Sequence, residues 1–381
     1  MRNIGVVLGF VLLGLSCQQS YKKELKTPFP KPAGSYDVGT ESLLFTYQVN
    51  DSINSQSRYL NIQVWYPIIK EIPSYAPYIL DSALVSALKE DQYLNLKNEV
   101  IKGWDSLVTH ASLKHGTIIP GKKCPLIIFS HGFGMSKVNY SSLSIEIASH
   151  GYVVAAIDHP GSGLTIMPDG LAVGLTPNPD GPDGKVIEFC EDISHSISDI
   201  FNTERFGNYI NKQSIGVIGH SLGGAAALNI GQYDDRVKAS INLDGYLFGD
   251  AMKTGVTTPF LSILQRPQFG QKEVSDSLKI ERRLEWEGII DKSNVPSYVV
   301  NVKGLMHFDF SDLPFIIPDS IRTKNGGVLN AYKSHEILST LIVSYFNMNL
   351  KNDSTIVYED IITQLSEVNF ELNKHTVHNK K

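Results

Sequence analysis

The chain has 381 residues, a net charge of −5, and hydrophobic and charged contents of 42% and 19%. This composition is ordinary for a soluble globular protein, and the length allows one large core or two to three domains. The acidic balance, without a long basic run, excludes a general attraction for nucleic acid.

The first 17 residues predict an export signal. Arg2 precedes an apolar stretch at 4–15, which is shorter than the roughly 20 apolar residues of a membrane span. Gly14-Leu15-Ser16-Cys17 resembles a bacterial lipobox, although leucine usually stands where this chain has Gly14. We therefore expect a lipid-anchored envelope lipoprotein that associates with a membrane through lipidated Cys17. Plain secretion and a retained anchor remain the alternatives.

Residues 18–40 are polar, with Lys, Pro and Gly, and predict an extended linker. The stretch 43–68 predicts a β-hairpin with its turn at 51–55. Its second strand alternates apolar and polar side chains, the apolar ones being Leu60, Ile62, Val64 and Tyr66 and the polar ones Asn61 and Gln63.

Six short apolar runs, separated by helical patterns, predict a mostly parallel sheet with helices on both faces. The runs are Leu126–Phe129, Tyr152–Ile157, Ile215–Ile218, Val237–Leu243, Phe260–Leu264 and Tyr298–Val302. We place this domain at 41–350, with a long apolar helix at about 328–348. Residues 351–381 predict a C-terminal helix and tail, because apolar residues from Tyr358 to Leu372 recur at helical spacing.

Two insertions interrupt the alternation, a helical pattern at 80–110 and a Gly/Pro-rich loop at 158–187. Long loops in compact domains are often functional, so both are candidates for a lid, with surface decoration as the alternative. The Asp/Gly run at 177–184 misses the spacing of a calcium loop, because Pro182 stands where a ligand is needed. We expect no metal there.

Cys124 and Cys190 are the cysteines outside the signal. In an oxidising compartment they are able to pair, but two cysteines far apart in sequence are weak evidence for a disulfide. Cys124 precedes an apolar run, which favours a buried free thiol.

The run Ile215–Ile218 leads into Gly219-His220-Ser221-Leu222-Gly223-Gly224 and an Ala-rich segment. A strand, a tight Gly-x-Ser-x-Gly turn and a helix form a nucleophile elbow, with the serine at the apex. Ser221 is therefore the candidate nucleophile.

A serine needs a base and an acid that orients the base, and in elbow folds the chain order is Ser, acid, His. His307 follows the last predicted strand and is the candidate base, whereas we expect His131 and His220 to be structural and His335 to lie in the late helix. Asp244 ends the strand after the serine and is the candidate acid, because the next strand is followed by no carboxylate before Glu273. Asp309 is the alternative acid.

Two backbone N–H groups are needed for an oxyanion hole. Leu222 follows the nucleophile and supplies the first. The loop Ser130-His131-Gly132-Phe133-Gly134 follows the Leu126–Phe129 strand, and its flanking glycines allow the Phe133 amide to turn inward. We expect Phe133 to supply the second.

These motifs, together with Leu243-Asp244-Gly245-Tyr246-Leu247-Phe248 and Gly304-Leu305-Met306-His307, resemble the plasma-type (isoform II) platelet-activating factor acetylhydrolase family. The likeness spans roughly 40–350 and differs at Tyr246, where members often carry Trp. It implies an α/β-hydrolase fold, in which an N-terminal antiparallel hairpin leads into the sheet. It also implies a serine esterase without metal or organic cofactor, acting on phospholipids with short or oxidised acyl chains.

Three alternatives stay open. The same residues suit a general or polyester (cutinase-like) esterase, or an acyltransferase if water is excluded. A non-catalytic surface lipoprotein that binds lipids or glycans would also carry the signal and linker. The acyl length, the alcohol group and the oligomeric state are not fixed by the sequence.

Overall fold

The structure is a computed structural model that describes residues 27–50, 55–69, 75–90, 101, 103–113, 118–119, 121–266, 276–322 and 329–374. Within these residues, eleven strands form one sheet in the order β13-β12-β11-β10-β9-β5-β6-β2-β1-β4-β3, and β7 and β8 form a small hairpin. The strands are β1 (Asp37–Asn50), β2 (Ser55–Ile68), β3 (Tyr75–Pro77), β4 (Val108–Ser112), β5 (Cys124–Ser130), β6 (Val153–Asp158), β7 (Thr165–Ile166), β8 (Ala172–Val173), β9 (Ile210–His220), β10 (Val237–Leu243), β11 (Phe260–Arg266), β12 (Ser297–Lys303) and β13 (Val368–Lys374).

The central strands from β6 through β5, β9, β10 and β11 to β12 are parallel, and β2 joins β6 antiparallel. β1 and β2 form the antiparallel hairpin. Five of the six predicted apolar runs lie within these parallel strands, and the sixth, Tyr152–Ile157, begins one residue before β6. The chain therefore has the mostly parallel sheet that its pattern predicts and the α/β-hydrolase architecture that the family resemblance implies.

Helices cover both faces of the sheet. They are α1 (Ser82–Glu90), α2 (Ser141–Ser149), α3 (Gly181–Asn202), α4 (Leu222–Asn229), α5 (Ala251–Thr254), α6 (Asp276–Lys292), α7 (Leu313–Ile316), α8 (Asp319–Arg322), α9 (Ala331–Leu350) and α10 (Tyr358–Gln364). Along β5, Ile127 and Phe129 pack in one core with α2 and α9, and Leu126 and Ile128 pack in the other with α3 and α4. This alternation follows from the period of two along a strand.

The second strand of the hairpin departs from its predicted pattern. Gln63 lies on the predicted polar side but is buried, and its amide donates to the Thr40 hydroxyl at 3.2 Å. Trp65, on the same side, is also buried. Both faces of β2 are buried, since Trp65 packs in the core with α2 and α9, whereas Ile62 and Val64 pack in the core with α3.

The predicted linker at 18–40 is wrong over its described part. The Phe29 ring is buried 4.9 Å from the ring of Tyr78, and the Gly34 N–H donates to the Ser149 hydroxyl at 3.0 Å. β1 then begins at Asp37. The apolar contact of Phe29 holds this Pro-rich segment against the domain, which a polar average composition does not predict.

The predicted C-terminal helix is correct only for α10. The chain then turns and forms β13, which pairs antiparallel with β12 at the edge of the main sheet. Val368 joins the core, so the domain extends beyond residue 350. Without β13, the edge of β12 would present unpaired backbone groups. Pairing with that edge outweighs the helical spacing of this short segment.

The two insertions contact each other, since α1 packs against β7 and β8. The 80–110 insertion ends within β4, which joins the sheet next to β1. The run at 177–184, predicted as loop, is helical from Gly181, because a proline such as Pro182 is tolerated in the first turn of a helix.

Cys124 and Cys190 are both buried free thiols. The predicted signal, including Cys17, lies outside the described residues. No helix in the part that the structure describes has the length and apolar character of a membrane span.

Candidate active site

Ser221 lies where β9 ends and α4 begins. Its backbone has φ 55° and ψ −119°, a conformation that is costly for a residue with a side chain. The Ser221 N–H donates to the Leu243 carbonyl at 2.9 Å, and the Ser221 carbonyl accepts from the Ala225 N–H at 3.1 Å. These bonds hold the strained turn between two strand ends and the helix, and the predicted strand-turn-helix elbow is confirmed.

Glycines provide the clearance for this turn. A Cβ on Gly223 would lie 2.3 Å from the Ser130 carbonyl oxygen, and a Cβ on Gly219 would lie 2.0 Å from the Gly223 carbonyl oxygen. Both distances are far below a normal van der Waals contact. The two outer positions of the motif are therefore glycine because the backbone of neighbouring segments passes through the space of a side chain.

His307 links Ser221 to Asp244. Its Nε2 lies 3.1 Å from the Ser221 hydroxyl, and its Nδ1 lies 2.6 Å from Asp244 Oδ2. A proton on Nδ1 shared with the carboxylate leaves the lone pair of Nε2 facing the serine hydroxyl. The structure thus brings together the three residues that the sequence singles out.

Asp244 is fixed by its own backbone and by the end of the next strand. Its φ is 52°, and its N–H donates to the Ile263 carbonyl at 2.8 Å. Its Oδ1 accepts the Gln265 N–H at 3.1 Å. The strand β11, which lacks a carboxylate after it, supplies a backbone donor to the acid of its neighbour.

Asp309, the alternative acid, has a different role. Its Oδ2 accepts the Met306 N–H at 2.9 Å, and its Oδ1 lies 3.2 Å from Arg322 Nε. Burial raises the pKa of Asp309, and Arg322 opposes that rise. Asp309 closes the turn that carries His307.

The loop after β5 lies against Ser221. A Cβ on Gly132 would be 3.0 Å from the Ser221 Cβ, and Gly134 has φ 79°, which favours glycine. The Phe133 N–H has no hydrogen-bond acceptor among the described residues. The Leu222 N–H belongs to the first turn of α4, where amides have no partner inside the helix. The loop that carries Phe133 therefore lies against the serine at Gly132, and Leu222 follows the serine directly in the chain.

A family model for platelet-activating factor acetylhydrolase, isoform II, matches residues 21–165 and 185–369. The chain belongs to this family. The match covers nearly the whole region described above, including both sides of the elbow. The resemblance drawn from the motifs is confirmed, and the chain is a carboxylic ester hydrolase.

Two curated relatives and one solved structure agree with this assignment. The chain is 25% identical over 327 residues to the platelet-activating factor acetylhydrolase of Canis lupus familiaris, covering 75% of this chain and 68% of that protein. It is 28% identical over 252 residues to a probable 1-alkyl-2-acetylglycerophosphocholine esterase of Arthroderma benhamiae, covering 60% and 61%. A ferulic acid esterase from Streptomyces cinnamoneus superposes with a TM-score of 0.72 at 26% identity, covering 89% of this chain and 98% of that one.

In this family member, His220 is a buried neighbour of the site. Its Nδ1 accepts from the Tyr140 hydroxyl at 2.8 Å, and the same hydroxyl accepts the Gly132 N–H at 3.2 Å. Burial, followed by repulsion from His307, lowers the pKa of His220 well below its usual value, so the ring is neutral. His220 and Tyr140 thus support the loop at Gly132, which agrees with the structural role expected for His220.

A second Ser-His-Asp chain, which the sequence analysis missed, lies inside the core. Ser130 Oγ is 2.9 Å from His159 Nε2, and His159 Nδ1 is 2.8 Å from Asp192 Oδ2. All three residues are fully buried. The available signals were Ser130, which opens the loop motif, and His159, which follows the end of β6.

Asp192 also forms an ion pair with Arg58. The Arg58 guanidinium donates to Asp192 Oδ1 at 2.6 Å and Oδ2 at 2.7 Å, and the Tyr47 hydroxyl donates to Oδ1 at 2.7 Å. Burial alone would raise the pKa of Asp192, but hydrogen bonds from Arg58 and His159 lower it to about 2. The buried chain is therefore anchored by a paired carboxylate.

Three aromatic side chains next to the site are exposed to solvent. Phe133 is 49% exposed, Tyr246 44% and Phe308 41%. The Arg282 guanidinium lies 5.4 Å from the centre of the Tyr246 ring and donates to its hydroxyl at 2.9 Å. Exposed rings beside the elbow serine form apolar surface of the kind that lines ligand sites.

Proposed function

We propose that this ester hydrolase uses Ser221 as its nucleophile, His307 as its general base and acid, and Asp244 to hold the imidazole. The observation that carries the proposal is the Ser221–His307–Asp244 hydrogen-bonded chain at a strained, partly exposed elbow. Strained backbone at a reactive side chain is typical of functional sites.

The reaction has two halves. Ser221 Oγ attacks the ester carbonyl carbon while His307 Nε2 takes its proton, and the tetrahedral intermediate expels the alcohol, which receives that proton. A water molecule then attacks the acyl-serine, gives a proton to His307 and releases the acid, and the proton returns to Ser221. Asp244 keeps the proton on Nδ1 and stabilises the imidazolium in both halves.

The amides of Phe133 and Leu222 are proposed to bind the oxyanion of each tetrahedral intermediate. Phe133 lies in the loop that touches Ser221, and Leu222 begins α4, whose N-terminal amides favour negative charge. One such donor is worth about 3 kcal/mol of the barrier.

The proposed substrates are phospholipids with short or oxidised acyl chains. Support comes from the family, from the relatives named for acetylated glycerophosphocholines, and from the exposed rings of Phe133, Tyr246 and Phe308 around the serine. The solved ferulic acid esterase makes an aromatic ester the first alternative to test, followed by simple and polymeric esters.

We also propose export and acylation at Cys17. The support is the short apolar segment and the lipobox-like motif before this cysteine. In a bacterial host, radioactive palmitate should label the full chain and not a Cys17→Ser variant. Equal labelling of both would exclude this anchor.

The test of the catalytic proposal compares wild type with Ser221→Ala on a panel of esters. The panel contains phosphatidylcholines with sn-2 acetyl, glutaryl and palmitoyl groups, p-nitrophenyl acetate and butyrate, and methyl ferulate. We expect the highest kcat/KM for the short sn-2 chains, and a loss of at least about 10⁴-fold for all esters in the variant. A variant that keeps wild-type rates would overturn the role of Ser221. Preference for methyl ferulate, with no phospholipid cleavage, would overturn the substrate alone, and a wild type inactive on every ester would favour a lipid-binding protein.

A further inference from the structure

The loop from Gly132 to Met135 holds its amides in fixed directions. The Gly132 N–H donates to the Tyr140 hydroxyl at 3.2 Å, the Gly134 N–H to the Ser162 carbonyl at 2.7 Å, and the Met135 N–H to the Gly132 carbonyl at 3.0 Å. Of these four consecutive amides, Phe133 is the one without an acceptor among the described residues.

The direction of the Phe133 N–H is set by the carbonyl of the preceding residue. A trans peptide is planar, so its N–H and C=O point in opposite directions. The Gly132 carbonyl accepts from His131 Nδ1 at 2.8 Å and from the Met135 N–H at 3.0 Å. Rotation of this peptide would break both bonds, and the His131 side chain supplies one of them.

The tautomer of His131 follows from its other partner. The His159 N–H donates to His131 Nε2 at 3.0 Å, so Nε2 carries no proton. Nδ1 therefore holds the proton and donates it to the Gly132 carbonyl. Burial, and then repulsion from His159, lower the pKa of His131 to about 4, which keeps the ring neutral near pH 7.

The residue that fixes His131 is itself fixed. His159 is bonded through its ring to Ser130 and Asp192, and its ring stacks on Phe189 with centroids 3.7 Å apart. Its backbone N–H thus has little freedom to leave His131 Nε2. The buried Ser130–His159–Asp192 chain thus holds His159, whose N–H in turn holds the His131 ring.

We infer that His131 is a positioning residue for the proposed oxyanion hole: its Nδ1–H holds the Gly132–Phe133 peptide so that the Phe133 N–H faces the reacting carbonyl. This inference rests on the proposed function of Ser221. It assigns to the buried Ser130–His159–Asp192 chain the task of holding this imidazole, through the backbone of His159.

Two substitutions separate the two bonds of His131. The amide nitrogen of Asn occupies the place of Nδ1, so His131→Asn keeps a donor for the Gly132 carbonyl and loses the acceptor for His159. The amide oxygen of Gln reaches the place of Nε2, so His131→Gln keeps the acceptor and loses the donor. His335→Gln, which replaces a buried histidine in α9, is the matched control.

The readouts are kcat and KM for p-nitrophenyl acetate, Ki for a trifluoromethyl ketone whose serine adduct carries an oxyanion, and the thermal midpoint. We expect His131→Gln to lose about 10- to 100-fold in kcat with little change in KM, and to raise Ki by a similar factor. His131→Asn and His335→Gln should stay within about fivefold of wild type in kcat. Equal losses in the Asn and Gln variants, wild-type kcat in His131→Gln, or a loss confined to KM would overturn the inference.

Wild-type protein gives an independent test that no misfolded variant can obscure. Nitrogen-15 NMR of the histidine rings should show His131 with its proton on Nδ1 and none on Nε2 between about pH 5 and 8. A proton on Nε2 would overturn the inference, because Nδ1 would have none to donate. If wild type is not labelled by a fluorophosphonate, the proposed function fails. If wild type and His131→Gln are labelled equally fast at Ser221, this inference alone fails.

Discussion

Two Ser-His-Asp chains with the same order of atoms lie side by side in this protein. In Ser221–His307–Asp244 the Ser–His and His–Asp distances are 3.1 and 2.6 Å, and in Ser130–His159–Asp192 they are 2.9 and 2.8 Å. Hydrogen-bond geometry alone does not separate them. The difference lies in their surroundings.

The first chain is partly exposed and strained, and the second is buried and charge-paired. Ser221 has a positive φ at the apex of an elbow, whereas Ser130 is the last residue of β5 and is fully buried. Asp244 accepts a backbone N–H from Gln265, whereas Asp192 is bound by Arg58 on both oxygens. In the proposed function, the exposed position of the first chain and the amide donors near it place the chemistry there, and the second chain supports the structure.

Among the substitutions that distinguish the two chains, Asp244→Asn should have the largest effect on catalysis. If the amide oxygen keeps accepting the Gln265 N–H, the NH₂ group faces His307 Nδ1 and donates to it, which favours the wrong tautomer of His307. We expect kcat for p-nitrophenyl acetate to fall by about 10⁴-fold, with a thermal midpoint within a few degrees of wild type. A fall of less than tenfold in folded protein would argue against the role of Asp244.

The same substitution in the buried chain should act on stability. Asp192→Asn removes the charge that pairs with Arg58 and leaves that guanidinium with Glu188 at 2.7 Å as its remaining carboxylate. We expect a loss of about 3 kcal/mol in the free energy of unfolding, measured by urea titration. The kcat of the folded protein should fall by less than about tenfold. An unchanged free energy of unfolding with a 10⁴-fold loss of kcat would reverse the assignment of the two chains.

Lowering the pH should reduce the free energy of unfolding, in part through the buried imidazole of His131. Its pKa is lowered from 6.5 to about 4 in the folded state. Between these values the unfolded chain binds a proton that the folded chain does not, so the free energy of unfolding falls as the pH drops. The contribution of this residue approaches about 3 kcal/mol. Urea titrations at pH 7 and 4.5 should show a smaller loss in His131→Asn than in wild type, and parallel losses would refute the contribution.

The smallest effect is expected at the rim of the first chain. Tyr246→Ala removes an exposed ring that lies near Asp244 and contacts the Arg282 guanidinium. We expect KM for an sn-2 acetyl phospholipid to rise by up to about tenfold, the cost of losing part of one aromatic contact, with kcat for p-nitrophenyl acetate unchanged. Tyr75→Ala, an equally exposed tyrosine on β3, is the control. The same rise in KM for both variants would remove Tyr246 from the substrate surface.

Much of the site could be predicted because its candidate residues lie in short motifs that are recognisable in the sequence. The Gly-x-Ser-x-Gly turn needs glycine at fixed positions. Asp244 and His307 each follow an apolar strand, and the carboxyl ends of parallel strands lie at the same edge of the sheet. The absence of a carboxylate after Phe260–Leu264 also pointed to Asp244.

The buried chain could not be predicted, because no local pattern marks it. Asp192 lies in the middle of α3, 33 residues from His159, and the two meet only when the helix packs on the sheet. The strand β13 was missed for a similar reason, since its pairing depends on the free edge of β12. Helix α6 was also missed, because acidic and basic residues interrupt its short apolar face. Such features follow from tertiary contacts.

Reaction of wild-type protein with a fluorophosphonate, followed by peptide mapping, tests the central claim most directly. The probe bonds to an activated serine, and both Ser221 and Ser130 have a histidine at hydrogen-bond distance. The account predicts a stoichiometric adduct on Ser221 and none on Ser130. An adduct on Ser130, or ester hydrolysis that continues while Ser221 stays unmodified, would contradict it.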